Sequence, residues 1–353
     1  DGFPISGRMA QAIDGSKTLL LTDSEAAAYF LNADGSGKAL GTVIKNPAYA
    51  ATLTTLASSG ANALYTGPIA ENIVKKIKLT SGGSPSFAIT PGLTEMSDLA
   101  NYQAKKRDPV CTTYRNYWVC GMGAPSSGGM TVASALGTLE NFYLAGYKPT
   151  AMDTNGGKPT VMGVHLISEA ERLAYADRNK YMADTDFVPL PGGSPAALLD
   201  KAYLRSRANL IDFTRSMGTA VAGTFTSAPL GISSAEGKGT THMTIVDKQG
   251  NVVVMTTTIE SGMGSYRMTN GFLLNNQLTD FSVLAADSNG PIANRVQANK
   301  RPRSSMAPTL VFKMADDGSM GDFLMGTGSP GGATIIQYVI KTLVGVLDWG
   351  MDA

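Results

Sequence analysis

Histidine and cysteine are scarce in this chain, with two of each among 353 residues, and that scarcity removes whole classes of chemistry. His165 and His242 belong to no cluster with metal-ligand spacing, so no metal centre is expected. Neither Cys111 nor Cys120 has a histidine nearby in sequence, which argues against a catalytic thiolate. Surplus charge is missing too: 29 Lys and Arg stand against 28 Asp and Glu, a net +1, too balanced for a protein that holds nucleic acid by charge. No apolar run reaches the ~18 residues of a membrane span. The longest candidate, Ile335 to Val346, is interrupted by Gln337, Lys341 and Thr342 and reads as a buried helix. There is no repeat of fixed period and no extended low-complexity tract, and no signal peptide is visible at Asp1.

What is present suits a folded chain of one or two domains, since 43% hydrophobic residues over this length can bury a sizeable core. Helices are expected over 47–57 and 68–78, each with proline in its first turn, and over 129–144 and 166–179. The charged stretch from Glu169 to Lys180 reads as a partly solvated amphipathic face, with a functional role for Tyr175 or Arg178 as a secondary possibility. Residues 215–239 are rich in Gly, Ser, Thr and Ala, and read as a mobile leader that must bend tightly at Gly239. Val110 to Tyr114 and Tyr117 to Cys120 flank Arg115-Asn116, and a hairpin centred there sets Cys111 opposite Cys120. A cross-strand disulfide would fit a periplasmic or secreted protein; the alternative is two reduced cysteines acting as small hydrophobes.

The most informative stretch is Thr240-Thr241-His242, directly after Gly237-Lys238-Gly239. A threonine hydroxyl inside a chain is a poor nucleophile. If the Gly239–Thr240 bond breaks, the freed α-amino group, with a reference pKa of ~7.7–8.0, can serve as its general base. The turn-rich Asp247 to Asn251 separates two runs of β-formers, 240–246 and 252–258, and reads as a hairpin. If Val246 faces Val252, Thr258 lies opposite Thr240 and on the same face. On the residues alone, Thr256, Thr257 and Thr258 read better as the β-propensity filling of a strand.

Four motifs occur in an order that resembles the γ-glutamyltranspeptidase family: Thr240-Thr241-His242; Leu274-Asn275-Asn276-Gln277 with Asp280-Phe281; Arg301-Pro302-Arg303-Ser304-Ser305-Met306; and Thr327-Gly328-Ser329-Pro330-Gly331-Gly332. Upstream, Ala124-Pro125-Ser126-Ser127-Gly128-Gly129 and the Glu169 to Arg178 segment extend the resemblance over nearly the whole chain. It implies an α+β fold, the αββα four-layer sandwich of N-terminal-nucleophile hydrolases, with no cofactor. It also implies a precursor that cuts itself between Gly239 and Thr240, giving a large-subunit-like portion (1–239) and a small-subunit-like portion (240–353) that stay together in one structural domain. Thr240 would attack a γ-glutamyl amide such as glutathione and pass the acyl group to water or an amino-acid amine. By the family's pattern Thr258 holds the nucleophile, Gly331 and Gly332 supply oxyanion donors, and Glu260, Gln277, Asp280, Ser304 and Ser305 bind the donor's amino-acid head.

Three departures qualify the transfer. Glu260 stands where the well-known transpeptidases carry Asn. The segment between Phe281 and Asn299 is short and holds no Tyr, whereas several members have a longer aromatic lid there; an openness of this kind suits a cephalosporin (glutaryl) acylase of the same family. The arginine that grips the donor carboxylate lies in a region with no counterpart here. Asp1-Gly2-Phe3 resembles a point well inside the large subunit and Ala353 falls before the family's C-terminus, so a sandwich lacking its first and last elements is expected. A truncated, inactive interaction module is the alternative of another class. Gly326 to Gly331 formally matches a dinucleotide fingerprint with Asp348 as the ribose acid, but no β-rich run leads into Asp348. A phosphate-loop reading of 231–238 fails on its spacing and on Gly239 in place of Ser or Thr.

Overall fold

The computed structural model describes residues 2–83, 86–150, 157–226, 230–233 and 239–352. They fall into two compact units, Asp1–Lys106 with Ile259–Gln277, and Arg107–Thr258 with Leu278–Ala353. The boundary expected at residue 240 concerns a covalent cut, and these packing units are drawn elsewhere along the chain.

In the first unit, helices α1 (Gly7–Leu20), α2 (Ser24–Phe30) and α3 (Pro47–Ser59) start at side-chain caps. Ser6 accepts from the Met9 N–H, Asp23 from Ala26 and Asn46 from Tyr49, each satisfying a donor that the first turn leaves without a helical partner. Helix α4 (Pro68–Ile77) follows, with proline in its first turn as the sequence suggests. The Asn46 amide also donates to the Gly271 carbonyl at 2.7 Å, which ties the 259–277 excursion to α3. Ile5, Ile13, Leu20, Phe30, Met263 and Met268 form the core. Buried Lys76 is neutralised by Asp23 and Glu25, each at 2.9 Å.

The second unit contains helices α5 (Gly128–Leu139), α6 (Val161–Tyr181), α7 (Lys201–Ala208) and α8 (Ile335–Leu347). Its strands are β1 (Val110–Tyr114), β2 (Tyr117–Gly121), β3 (Thr241–Val246), β4 (Val252–Thr257), β5 (Thr309–Met314) and β6 (Met320–Thr327). An antiparallel sheet runs in the order β6-β5-β2-β1, with β3 and β4 a separate hairpin. The turn at Arg115-Asn116 sets Cys111 opposite Cys120, and the two are joined as a disulfide. Helix α5 is buried along its whole length and lies on this sheet through a glycine contact. A Cβ on Gly129 would meet the Met122 carbonyl oxygen at 2.5 Å and the Gly121 backbone at 2.8 Å, so only glycine permits this approach. Helices α6, α7 and α8 pack against α5, enclosing Val132, Leu136, Leu166, Leu173, Val311, Ile336 and Ile340.

Several sequence expectations are corrected. Helix α5 stops at Leu139 rather than running to 144, because the Arg115 guanidinium takes the carbonyls of Glu140 and Phe142 at 3.0 and 2.8 Å. Helix α6 begins five residues earlier than expected, at Val161, where Thr160 caps it by accepting from Gly163 at 3.1 Å. Its charged segment is buried further than a partly solvated face suggests: Glu169, Glu171, Asp177 and Arg178 are buried, while Arg172 stays exposed. Two of these carboxylates hold described parts of the stretch read as a mobile leader. Glu169 accepts from the Met217 N–H and Asp177 from the Gly223 N–H, both at 2.7 Å, and Asn179 accepts from Ser233 at 3.0 Å. Irregular backbone buried without a regular ladder must find such partners. Residues 227–229 and 234–238 of that stretch lie outside the described residues. The dinucleotide reading fails as well, since β6 is antiparallel to its neighbour and Asp348 is taken by the Tyr114 hydroxyl at 2.5 Å and Arg115 at 3.0 Å.

Burial alone pushes the Glu171 carboxyl up to about 7 from an ordinary 4.5. A folded-state value above the unfolded one means a stabilising contribution complete below about pH 4.5 and lost as pH rises through about 7. Urea titrations should therefore show the parent losing stability relative to Glu171→Gln across that window. Parallel pH profiles for the two proteins would refute the assignment.

Candidate active site around Thr240

The nucleophile candidate takes its position from the hairpin loop. Asp247 accepts from the Gln249 and Asn251 N–H groups, each at 2.9 Å, and from the Asn251 amide at 2.8 Å, while Gly250 takes φ 84°. That closure pairs Val246 with Val252 and carries the register to Thr241 opposite Thr257. One step further, Thr240 is 8% exposed and the Thr258 hydroxyl donates to the carbonyl of Gly239, the peptide preceding Thr240. The three threonines of the strand thus have separate surroundings. Thr257 is exposed, Thr256 pairs at 2.8 Å with Nδ1 of His242, and Thr258 reaches Gly239. Partial burial lowers the His242 pKa, which favours the neutral ring.

The glycine-rich run after β6 reaches the same hairpin. A Cβ on Gly328 would sit 2.2 Å from the His242 ring, and one on Gly326 would sit 2.7 Å from Val254, so the run lies flat against β3 and β4. It then turns through Gly331 (φ 142°) and Gly332 (φ 57°) into α8. Thr334 locks the turn by donating its hydroxyl to the Gly331 carbonyl at 2.7 Å, and the Tyr175 hydroxyl of α6 donates to the Ala333 carbonyl. Backbone N–H groups at the start of a 13-residue helix favour developing negative charge.

Ser304 and Ser305 lie on a loop clamped from two sides. Ser304 donates its N–H to the Pro125 carbonyl at 3.2 Å, and its own carbonyl accepts from both the N–H and the hydroxyl of Ser127 at 2.8 Å. Arg178, 2% exposed, donates Nε to the Ser127 hydroxyl at 2.8 Å and Nη2 to the Ser305 hydroxyl, with its guanidinium 5.4 Å from the Tyr175 ring centroid. Tyr175 and Arg178, one turn apart on α6, therefore touch both the glycine turn and the serine loop. Sequence had only flagged them as secondary, because a charged helix reads the same whether its charges face water or the interior. Asp280 ends the short helical turn Gln277–Asp280 and is 8% exposed. Its carbonyl accepts from Asn294, a residue the motifs did not single out.

Thr240, Thr258, Asp280, Ser304, Ser305, Gly331 and Gly332 belong to the second unit, and Glu260 and Gln277 to the first. Glu260 is buried with φ 74° and accepts from the Asn276 amide, whose oxygen in turn accepts from the Ser261 N–H at 3.0 Å. Gln277 donates its N–H to the Asn275 side chain at 2.9 Å. Among the described residues no cluster of His, Cys, Asp and Glu has the makings of a metal site, and no helix is long and apolar enough to cross a membrane.

Comparison with known proteins agrees with the motifs. The profile of the family described as Gamma-glutamyltranspeptidase matches residues 1–353. A glutathione hydrolase proenzyme of Escherichia coli (strain K12) is 34% identical over 359 residues, covering 100% of this chain and 56% of its own length. An acylase, ACY 1 proenzyme, of Pseudomonas sp. (strain SE83) is 30% identical over 355 residues, covering 99% and 56%. The solved cephalosporin acylase from Bacillus halodurans superposes with a TM-score of 0.75 at 21% identity over 99% of this chain and 57% of its own. The α+β fold of N-terminal-nucleophile hydrolases is thus shared, and the chain spans little more than half the length of the relatives it matches.

The Arg178 network makes a stability prediction. Lysine keeps the charge at this position but not the planar fork, so Arg178→Lys leaves at least one buried hydroxyl short of a donor. Chemical denaturation should register a loss of about 1–3 kcal/mol; an unchanged midpoint would mean the fork contributes nothing to holding the loop.

Proposed function

The chain belongs to the γ-glutamyltranspeptidase family, and from that premise we propose that it is a self-processing threonine hydrolase and acyltransferase acting on γ-glutamyl amides such as glutathione. The observation that carries the reading is the Thr258 hydroxyl at the carbonyl oxygen of Gly239. In self-cleavage the Thr240 hydroxyl oxygen adds to that carbonyl carbon. The C–N bond breaks as an ester C–O bond remains, the nitrogen takes the hydroxyl's proton, and water then hydrolyses the ester. A donor fixed on the carbonyl oxygen stabilises the charge that gathers there in both additions. The products are a carboxylate at Gly239 and a free amine on Thr240, which is then the base for its own hydroxyl.

Turnover repeats the same addition on an external carbonyl. Thr240 attacks the γ-carbonyl, the amine leaves with a proton, and the γ-glutamyl ester passes to water or to the amine of an amino acid or peptide. Gly331 and Gly332 are the oxyanion donors in this reading, where losing one such donor typically costs ~2.7–4 kcal/mol of transition-state stabilisation. Asp280, Glu260 and Gln277 accept from the α-ammonium, and Ser304 and Ser305 donate to the α-carboxylate. No cofactor is called for. The large and small portions remain partners after the cut, and the Cys111–Cys120 disulfide favours a periplasmic or secreted location.

A second reading, a glutaryl or cephalosporin acylase, is favoured by Glu260 in place of the transpeptidase Asn and by the likeness to proteins named as acylases. Two measurements decide. Electrophoresis and intact mass should show wild type as two fragments meeting at Gly239–Thr240 and Thr240→Ala as one chain; a wild type that stays whole on prolonged incubation sinks the self-processing proposal. Processed protein should turn over a γ-glutamyl anilide in preference to a glutaryl cephalosporin, and the reverse preference would replace the first reading by the second.

A further inference from the structure

An α-amino acid carries its ammonium and carboxylate on one carbon, so a site that grips both must hold its two recognition groups at a set separation. In the second unit Asp280 and the Ser304–Ser305 loop are far apart in sequence, and one side chain bridges them. Asn294, 1% exposed, donates its amide N–H to the Asp280 carbonyl at 2.7 Å and accepts from the Arg303 N–H at 2.9 Å. A carbonyl only accepts and a backbone N–H only donates, so the orientation of the amide is set by its partners. A carboxylate has no donor for Asp280, a hydroxyl lacks the fork, and an apolar side chain serves neither. The bridge is itself anchored: the Asn294 carbonyl accepts from the Ser282 N–H at 2.9 Å, and Lys300 donates to the neighbouring Ala293 carbonyl at 2.6 Å.

We propose that Asn294 is a positioning residue that sets the spacing between Asp280 and the Ser304–Ser305 loop, and so selects acyl donors that carry both an α-ammonium and an α-carboxylate. The selectivity rests on the γ-glutamyl reading; the clamp itself does not. Displacing a positioned group by about 1 Å can cost on the order of a hundredfold in rate. A donor that engages only one of the two groups is indifferent to their spacing.

The test uses the full chain with Asn294→Asp, which keeps the acceptor for Arg303 and sets an oxygen against the Asp280 carbonyl, and Asn294→Ala, which removes both bonds without adding charge. Steady-state kinetics should show KM for a γ-glutamyl anilide raised about tenfold or more with kcat within about threefold, and a glutaryl anilide, lacking the ammonium, changed by less than about twofold. Equal losses on both donors, or none on either, overturn the selectivity. Hydrogen exchange is the second readout: amides of 278–283 and 301–306 should exchange faster together in both variants, whatever the turnover. Unchanged exchange in either segment overturns the clamp. A parent that turns over neither anilide while its variants show the coupled exchange counts against the γ-glutamyl reading and for the clamp. Loss of the cooperative melting transition in both variants would make Asn294 a folding residue and overturn the positioning role.

Discussion

The hydrogen bond from Thr258 to the Gly239 carbonyl depends on a loop that begins seven residues after Thr240. Asp247 gathers the Gln249 and Asn251 N–H groups and Gly250 supplies the left-handed turn, which sets the register of β3 against β4. A slip of one residue would turn every side chain of one strand to the other face. Thr258 would then leave Gly239, and His242 would leave Thr256 and the bare backbone of Gly328. The chemistry proposed at one end of the hairpin therefore rests on turn geometry at the other.

The rest of the second unit serves to hold the separate site segments in place. Helix α6 carries Tyr175 to the glycine turn and Arg178 to the serine loop, and it buries the carboxylates that secure the described parts of the 215–239 stretch. Burying so many ionisable groups is costly unless each finds partners. Most do: Asp177 receives the Tyr203 hydroxyl at 2.6 Å as well as the Gly223 N–H, with Arg207 at 3.6 Å. Burial still raises the Asp177 pKa against these favourable contacts. A helix of this kind works as a rack, trading solvation for fixed positions.

The proposed function draws only on oxygen and nitrogen groups that any chain possesses: one hydroxyl, one amine freed by the proposed cut, backbone N–H groups and a few polar side chains. That is why the scarcity of histidine and cysteine excludes so little of it. What distinguishes these groups is placement, and Asn294 illustrates the point, since a single amide joins the turn ending at Asp280 to the loop beginning at Arg303.

Local rules were enough to read the hairpins, because pairing register follows from a short turn and two strands, and they placed Cys111 opposite Cys120 and Val246 opposite Val252. Proline in the first turn marked where α3 and α4 begin, and the ordered motifs identified the family. The end of α5, the burial of Glu169, Glu171, Asp177 and Arg178, the anchoring of described parts of the leader and the contacts of Arg178 and Asn294 were decided only by tertiary structure. All but the last depend on partners tens of residues or more away, and Asn294 joins segments fourteen residues before it and nine after it. Sequence shows which groups can donate or accept, but which distant group meets them is settled when the core closes and every buried polar atom must find its partner.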